Sequence, residues 1–169
     1  MLRWKSAPPP EATPRIGVFV GRTEELAALE RALLPAGQVV AVCAVQGMAG
    51  VGKSYLVRRF WERHADDGSF PGGIVRIFLE PERTQTATEV LGTLLDRLDL
   101  RAGGDDACVF VQERLQRPRA LLHLDNVDSE SAAQLAVGLV GRLPGCPVVV
   151  CGRWTGLGMV RGWAQIQVG

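Results

Sequence analysis

Apolar positions along the chain follow two periods, and the points where the period changes mark out the elements. Leu26, Leu29, Leu33 and Leu34 recur at helical spacing. Thr23 is the candidate N-cap, Glu24 and Glu25 suit a first turn, and Pro35 and Gly37 end the helix. Val39 to Val45 is a continuous apolar run rich in β-branched residues, as expected of a strand buried on both faces. A glycine-rich turn follows, then a helix from Lys53 to about His64. Gly73 to Glu80 reads as a second strand, and Arg76 among its apolar residues predicts a partly open edge or face. Thr86 or Thr88 caps a helix whose apolar side holds Val90, Leu91, Leu94, Leu95 and Leu98. Asp105 or Asp106 caps the next helix, which runs through Val109, Phe110 and Leu115 and stops at Pro118. Ala120 to Asp128 is a third strand with an acidic end. Ser129 or Ser131 opens a helix to about Leu143, Pro147 to Gly152 is a fourth strand, and Gln165 to Val168 a short fifth.

Strands alternating with helices predict an α/β fold: a three-layer sandwich around a five-stranded, mainly parallel sheet. A length of 169 residues suits one domain. Residues 1–14 include Pro8, Pro9, Pro10 and Pro14 and few apolar side chains. They are expected to form a flexible arm ahead of a domain spanning residues 15–169.

Composition narrows the partners. A net charge of +1 gives no global electrostatic case for a membrane surface or for direct nucleic-acid binding, and neither is expected. No apolar run approaches a membrane span, and no apolar core follows Arg3 and Lys5 as a secretory leader requires. The cysteines Cys43, Cys108, Cys146 and Cys151 show no C-x-x-C spacing, and His64 and His123 are not placed to complete a metal site. A reduced, cytoplasmic protein is expected.

The chemistry lies in the turn after the first apolar run. Gly47-Met48-Ala49-Gly50-Val51-Gly52-Lys53-Ser54 matches G-x-x-x-x-G-K-[ST], the phosphate-binding loop. Glycines let backbone N–H groups turn inward around a polyphosphate, and the helix after them adds the positive end of its dipole. Lys53 is expected to reach the β- and γ-phosphates and the Ser54 hydroxyl to ligate Mg²⁺. The expected ligand is a nucleoside di- or triphosphate. Leu121, Leu122 and Leu124 bury the third strand, so Asp125 emerges at its C-terminal edge, where a carboxylate can hold Mg²⁺ with Ser54. His123, between two leucines, reads as a hydrogen-bonded core residue. Arg153 follows the fourth strand, and its planar fork suits a terminal phosphate if that strand lies beside the phosphate-loop strand.

Phe19-Val20-Gly21-Arg22, then GMAGVGKS, LLHLDNVD and PGCPVVVCGRW, in that order and spacing, resemble the nucleotide-binding domain of signal-transduction ATPases with numerous domains. Within that class they are most similar to the NB-ARC-like domains of bacterial regulators and their apoptosome and plant-resistance relatives. The resemblance runs from about Val18 to the C-terminus. It implies that Val20, Gly21 and Arg22 lie against adenine and that Gly50, Gly52, Lys53 and Ser54 make the phosphate and Mg²⁺ contacts. It also implies that Tyr55 sits where helix amides approach the α-phosphate, that Asp125 holds Mg²⁺, and that Arg153 reads the γ-phosphate. The implied cofactors are ATP or ADP with Mg²⁺. The implied behaviour is a switch, closed with ADP and open with ATP, whose protein partners or self-association depend on the nucleotide.

Two departures shape the expectation. Many relatives carry a second acidic residue after the Mg²⁺ aspartate, where this chain has Asn126, which cannot accept a proton at neutral pH but can orient a water. Slow or absent hydrolysis is therefore expected, with Asp128 the alternative carboxylate. The chain also stops at the fifth strand, without the helical and winged-helix domains of relatives, so an excised domain or an unusually short protein is expected. The expected function is a switch module whose catalytic candidates are Lys53, Asp125, Asn126 and Arg153. The alternative is an active AAA-like ATP hydrolase that remodels a partner or nucleic acid. A small-molecule kinase would need an Arg-rich lid, and a replication-initiator ATPase sits poorly with the near-neutral charge.

Overall fold

The computed structural model describes residues 21–35, 41–80, 83–101 and 106–169, without the side chains of residues 41–43 and 158. The expected arm, Phe19, Val20, Gly37, Val39 and Asp105 lie outside these residues. In chain order the elements are α1 (Thr23–Leu33), β1 (Ala41–Gln46), α2 (Lys53–His64), β2 (Ile74–Phe78), α3 (Ala87–Arg97), α4 (Ala107–Gln116), β3 (Leu121–Asp125), α5 (Glu130–Gly141), β4 (Pro147–Gly152) and β5 (Ala164–Gln167). A short 3-10 helix, Thr155–Met159, lies between β4 and β5.

The five strands form one sheet in the order β2-β3-β4-β1-β5, and every pairing is parallel. Every residue of β3 and β4 is buried, which explains why both read as unbroken apolar runs. Alternate residues feed two cores. Leu122, Leu124, Val148 and Val150 pack with α3, α4 and α5. Leu121, Val149, Cys151 and Val45 pack with Leu29 and Leu33 of α1 and Leu56 and Phe60 of α2. A fully buried leucine contributes about 1.5–3 kcal/mol, so this double burial is what holds the layers together.

β2 is an edge strand. Val75 and Ile77 are buried, while Arg76 and Phe78 on the other face are exposed, the open face that Arg76 predicts. Thr86 caps α3 with Glu89 in a reciprocal capping box, and the Ser129 hydroxyl accepts from the Ala132 N–H to cap α5.

Two helix starts differ from expectation. Thr23 is already helical, and Arg22 holds the N-cap position without a side-chain cap, since a guanidinium offers no acceptor to the first N–H groups. Asp106 precedes α4 but makes no side-chain cap either. Val109 and Phe110 are exposed, because Ala107, Val111 and Leu115, spaced four apart, take the buried stripe of α4.

Candidate functional site

The site forms at the C-terminal edge of the sheet. The chain leaves β1 for the far edge at β2 and returns through β3 and β4 to β1's flank, so the loops after β1, β3 and β4 converge there. Gly50 and Gly52 adopt φ of 78° and 92°, left-handed values that let the loop after β1 curl into the first turn of α2. That first turn has backbone N–H groups with no partner inside the helix, and they face the loop. Lys53 Nζ donates to the carbonyls of Gly47 at 2.8 Å and Met48 at 2.7 Å, closing the loop over its own start. Met48, Ala49 and Gly50 are exposed, Gly47, Val51 and Gly52 are partly buried, and Tyr55 is partly buried one residue into the helix beyond Ser54.

Ser54 and Asp125 lie 71 residues apart in sequence, yet the Ser54 hydroxyl donates to the Asp125 carboxylate, 3.0 and 3.1 Å from its two oxygens. Two hard oxygen donors beside a phosphate-shaped loop suit Mg²⁺. Arg76 reaches Asp125 from β2: Nε donates to Oδ2 at 3.0 Å, and Nη2 donates to the same oxygen. The Asn126 N–H donates to Oδ1 at 2.9 Å. Burial opposes the charged form of Asp125, but the His123 ring, the Arg76 guanidinium and the Ser54 hydroxyl outweigh it and hold the carboxyl below its ordinary value. Burial pushes His123 down to about 4, against the pull of the Asp125 charge.

His123 is a core residue as expected, but its Nε2 has no hydrogen-bond partner among the described residues. It is also not isolated from other metal-binding groups: ligand atoms of His123, Asp125 and Cys151 lie within 4.8 Å of one another, a closeness made across neighbouring strands that spacing along the chain conceals. The Asp125 oxygens in that trio also accept from Ser54, Arg76 and the Asn126 N–H.

Asn126 sits at φ 68° and its Nδ2 donates to the Leu79 carbonyl at 2.8 Å, which clamps the end of β3 to the end of β2. β4 does lie beside β1, with Gly152 opposite Gln46, so Arg153 emerges next to the phosphate loop. Its Nε donates to Asp128 Oδ2 at 2.7 Å and its backbone N–H to Oδ1 at 2.8 Å. Gln46, buried at the end of β1, donates to the carbonyls of Trp154 and Thr155 and accepts from Gln167. It fixes the segment after Arg153 and the end of β5 against the phosphate loop.

Arg22 donates to Glu25 at 2.9 Å, to the Val51 carbonyl at 3.2 Å and to a Gly169 oxygen at 2.6 Å. Gly21, Arg22, Thr23 and Leu26 line a cavity of about 420 Å³ with Leu56 and Arg59 of α2. The cavity extends down α2 to Glu62 and Arg63, and no residue of the phosphate loop lines it; Gly21 borders it, while Val20 lies outside the described residues. Sequence reasoning missed the site roles of Arg76 and Gln46. Arg76's signal was a lone charge in an apolar strand, and Gln46's was a polar residue ending a buried one.

The chain matches the family model described as the AAA ATPase domain over residues 18–150. It is 30% identical over 119 residues to disease resistance protein RGA4 of Oryza sativa subsp. japonica, an alignment that covers 68% of this chain and 11% of that protein. Among solved structures it is similar to Cdc6p from Pyrobaculum aerophilum, with a TM-score of 0.64 and 18% identity over 94% of this chain and 47% of that one. It is also similar to the Drosophila ORC in its structure bound to DNA, with a TM-score of 0.54 and 18% identity over 85% of this chain and 40% of that one. At 18% identity these two likenesses show the fold. The chain spans about 11% of the length of the rice protein and less than half of each solved chain. Among the described residues no helix is long and apolar enough to cross a membrane.

Proposed function

The chain belongs to the AAA ATPase domain family, a nucleotide-binding class, and on that premise we propose that it is the ATP/ADP-binding switch module of a signal-transduction ATPase, with weak or no hydrolysis by itself. The observation that carries this reading is the meeting of Ser54 and Asp125 beneath the phosphate loop. In it the backbone of Gly47 to Ser54 would cradle the phosphates, Lys53 would neutralise them, and Ser54 and Asp125 would hold Mg²⁺, whose positive charge would offset that of the phosphate oxygens. Adenine is assigned to the segment at Gly21 and Arg22, which the Arg22 hydrogen bond to the Val51 carbonyl holds against the phosphate loop.

The geometry favours a switch over a hydrolase because the residue after Asp125 is an amide, which is no base for water, and its Nδ2 is held by the Leu79 carbonyl. Arg153, anchored beside the loop, is the residue best placed to respond to a γ-phosphate by exchanging Asp128 for it. The likeness to a disease resistance protein supports the signalling class, and nucleotide-dependent self-association or protein partners belong to the same reading. The alternative of an active AAA-like hydrolase working on a partner or nucleic acid is separated by single-turnover hydrolysis of labelled ATP. The switch reading expects turnover far below one per second, and a rate of about one per second or faster, inside the ordinary enzyme range, contradicts it. Adenine preference is tested by calorimetry, where ADP should bind more tightly than GDP.

A further inference from the structure

Arg76 has no place in the phosphate-loop motif, yet it occupies one side of the carboxylate that the motif requires. The exposed face of β2 lets its side chain reach across to β3, where Asp125 lies diagonally opposite: Arg76 pairs in register with His123, and Phe78 with Asp125. Two guanidinium N–H groups donate to the same oxygen, Oδ2. Ser54 and the Asn126 N–H approach the same carboxylate. A carboxylate has about four lone-pair sites, and these contacts leave little of its capacity open. Asp125 is only 4% exposed, so water does not make up the difference.

We infer that Arg76 is a counter-cation that competes with Mg²⁺ for Asp125 and so sets how much divalent cation the nucleotide site demands. The inference rests on the Mg-nucleotide reading of this site. A buried carboxylate needs a positive partner, and the guanidinium supplies one when no metal is bound. A dication arriving beside Ser54 meets that guanidinium across one carboxyl group, at a separation and local dielectric where like charges repel strongly. Mg²⁺ therefore binds only by sharing or displacing Arg76. The displaced side chain has somewhere to go, because it is already 47% exposed while the carboxylate it leaves is 6% exposed. Arg97 of α3 donates to the Arg76 backbone carbonyl, so the strand stays in place when the guanidinium leaves.

If Arg76 merely positioned Asp125, removing it would weaken metal binding; competition has the opposite sign. The test uses Mn²⁺ as a paramagnetic stand-in, titrated by electron paramagnetic resonance into the full chain with saturating ADP. Arg76→Gln should bind Mn²⁺ about tenfold more tightly than the wild type, since it removes the charge and keeps a polar side chain. Arg76→Lys keeps the charge but loses the fork, so it should tighten Mn²⁺ by a smaller factor of about two to five and decides the matter if the glutamine variant does not fold. Unchanged or weaker Mn²⁺ affinity in the folded variants overturns the inference. ADP binding is measured in parallel by calorimetry. Wild-type ADP binding with no gain in Mn²⁺ affinity in the variants sinks the Arg76 inference alone. Absence of ADP binding by the wild type, with and without Mg²⁺, removes the nucleotide reading and the inference with it.

Discussion

Arg22 donates to the Val51 carbonyl at 3.2 Å and so ties the first turn of α1 to the phosphate loop, 29 residues along the chain. The same guanidinium reaches Glu25 and a Gly169 oxygen, which links the loop to the segment after β5 as well. Arg22→Ala should cost about 1–2 kcal/mol of stability, from charged hydrogen bonds that are only partly screened. It should also weaken ADP binding, because the loop loses an outer brace. Urea midpoints and calorimetry check both; a variant as stable as the wild type, with equal ADP affinity, would show that the brace is idle.

Asn126→Asp tests what the asparagine is for. Its Nδ2 donates to Leu79, and a carboxylate in that place would face a carbonyl oxygen and stand next to Asp125. The variant should lose about 1–3 kcal/mol of stability, the range for a buried acceptor left without its donor. Its single-turnover ATP hydrolysis should stay within a few-fold of the wild type, because the new carboxylate replaces a clamp and not a base. A rise of more than tenfold would show that this position lacks only a carboxylate base.

The fold was legible where burial on both faces leaves unbroken apolar runs, as in β4, whose limits match the run Pro147 to Gly152. The meeting of Ser54 and Asp125 was legible too, because Ser54 belongs to a motif and Asp125 ends a buried strand. Relationships made across strands were not. Arg76 meets Asp125 diagonally from a neighbouring strand, and Gln46 spans from β1 to the turn after β4, so neither leaves a spacing in the chain. The surface of α4 misled for another reason. Val109 and Phe110 sit in an apolar run, and only the three-dimensional placement of α4 decides that Val111 and Leu115 face inward.

Gly152 is a packing constraint at the mouth of the site. A Cβ there would overlap the Val127 carbonyl, where β4 passes the turn that follows Asp125. Gly152→Ala should therefore destabilise the domain by more than about 2 kcal/mol, as overpacking against backbone does. It should weaken Mg²⁺-dependent binding as well, since the turn carries Asp125. A thermal melt indistinguishable from the wild type would mean that the two backbones are free to part.

Asp67 gives the stability a pH dependence outside the site. The Ser69 hydroxyl, then His64 and the Ser69 N–H, hold its carboxyl down to about 2 from 3.8. A depressed carboxyl stabilises the folded state above its unfolded value and loses that contribution as pH falls toward the folded one. The stability gap between the wild type and Asp67→Asn should thus be constant above about 3.8 and close as pH falls to about 2. Acid titration of both proteins measures it, and a gap that persists unchanged to about pH 2 would show that the charge is not what matters.

Whether the loop from Gly47 to Ser54 binds the phosphates of a nucleotide is measured most directly by the change in melting temperature with excess Mg-ADP or Mg-ATP in the wild type and Lys53→Ala. Ligand at about a hundred times its dissociation constant adds about 2.7 kcal/mol. For a domain of this size that raises the melting temperature by about 5–10 °C. Because Lys53 also bonds the Gly47 and Met48 carbonyls, the variant's own melting temperature can differ, and the ligand-induced shift is the quantity compared. The wild type should shift and Lys53→Ala should not; equal shifts in the two proteins, or none in the wild type, would contradict the account.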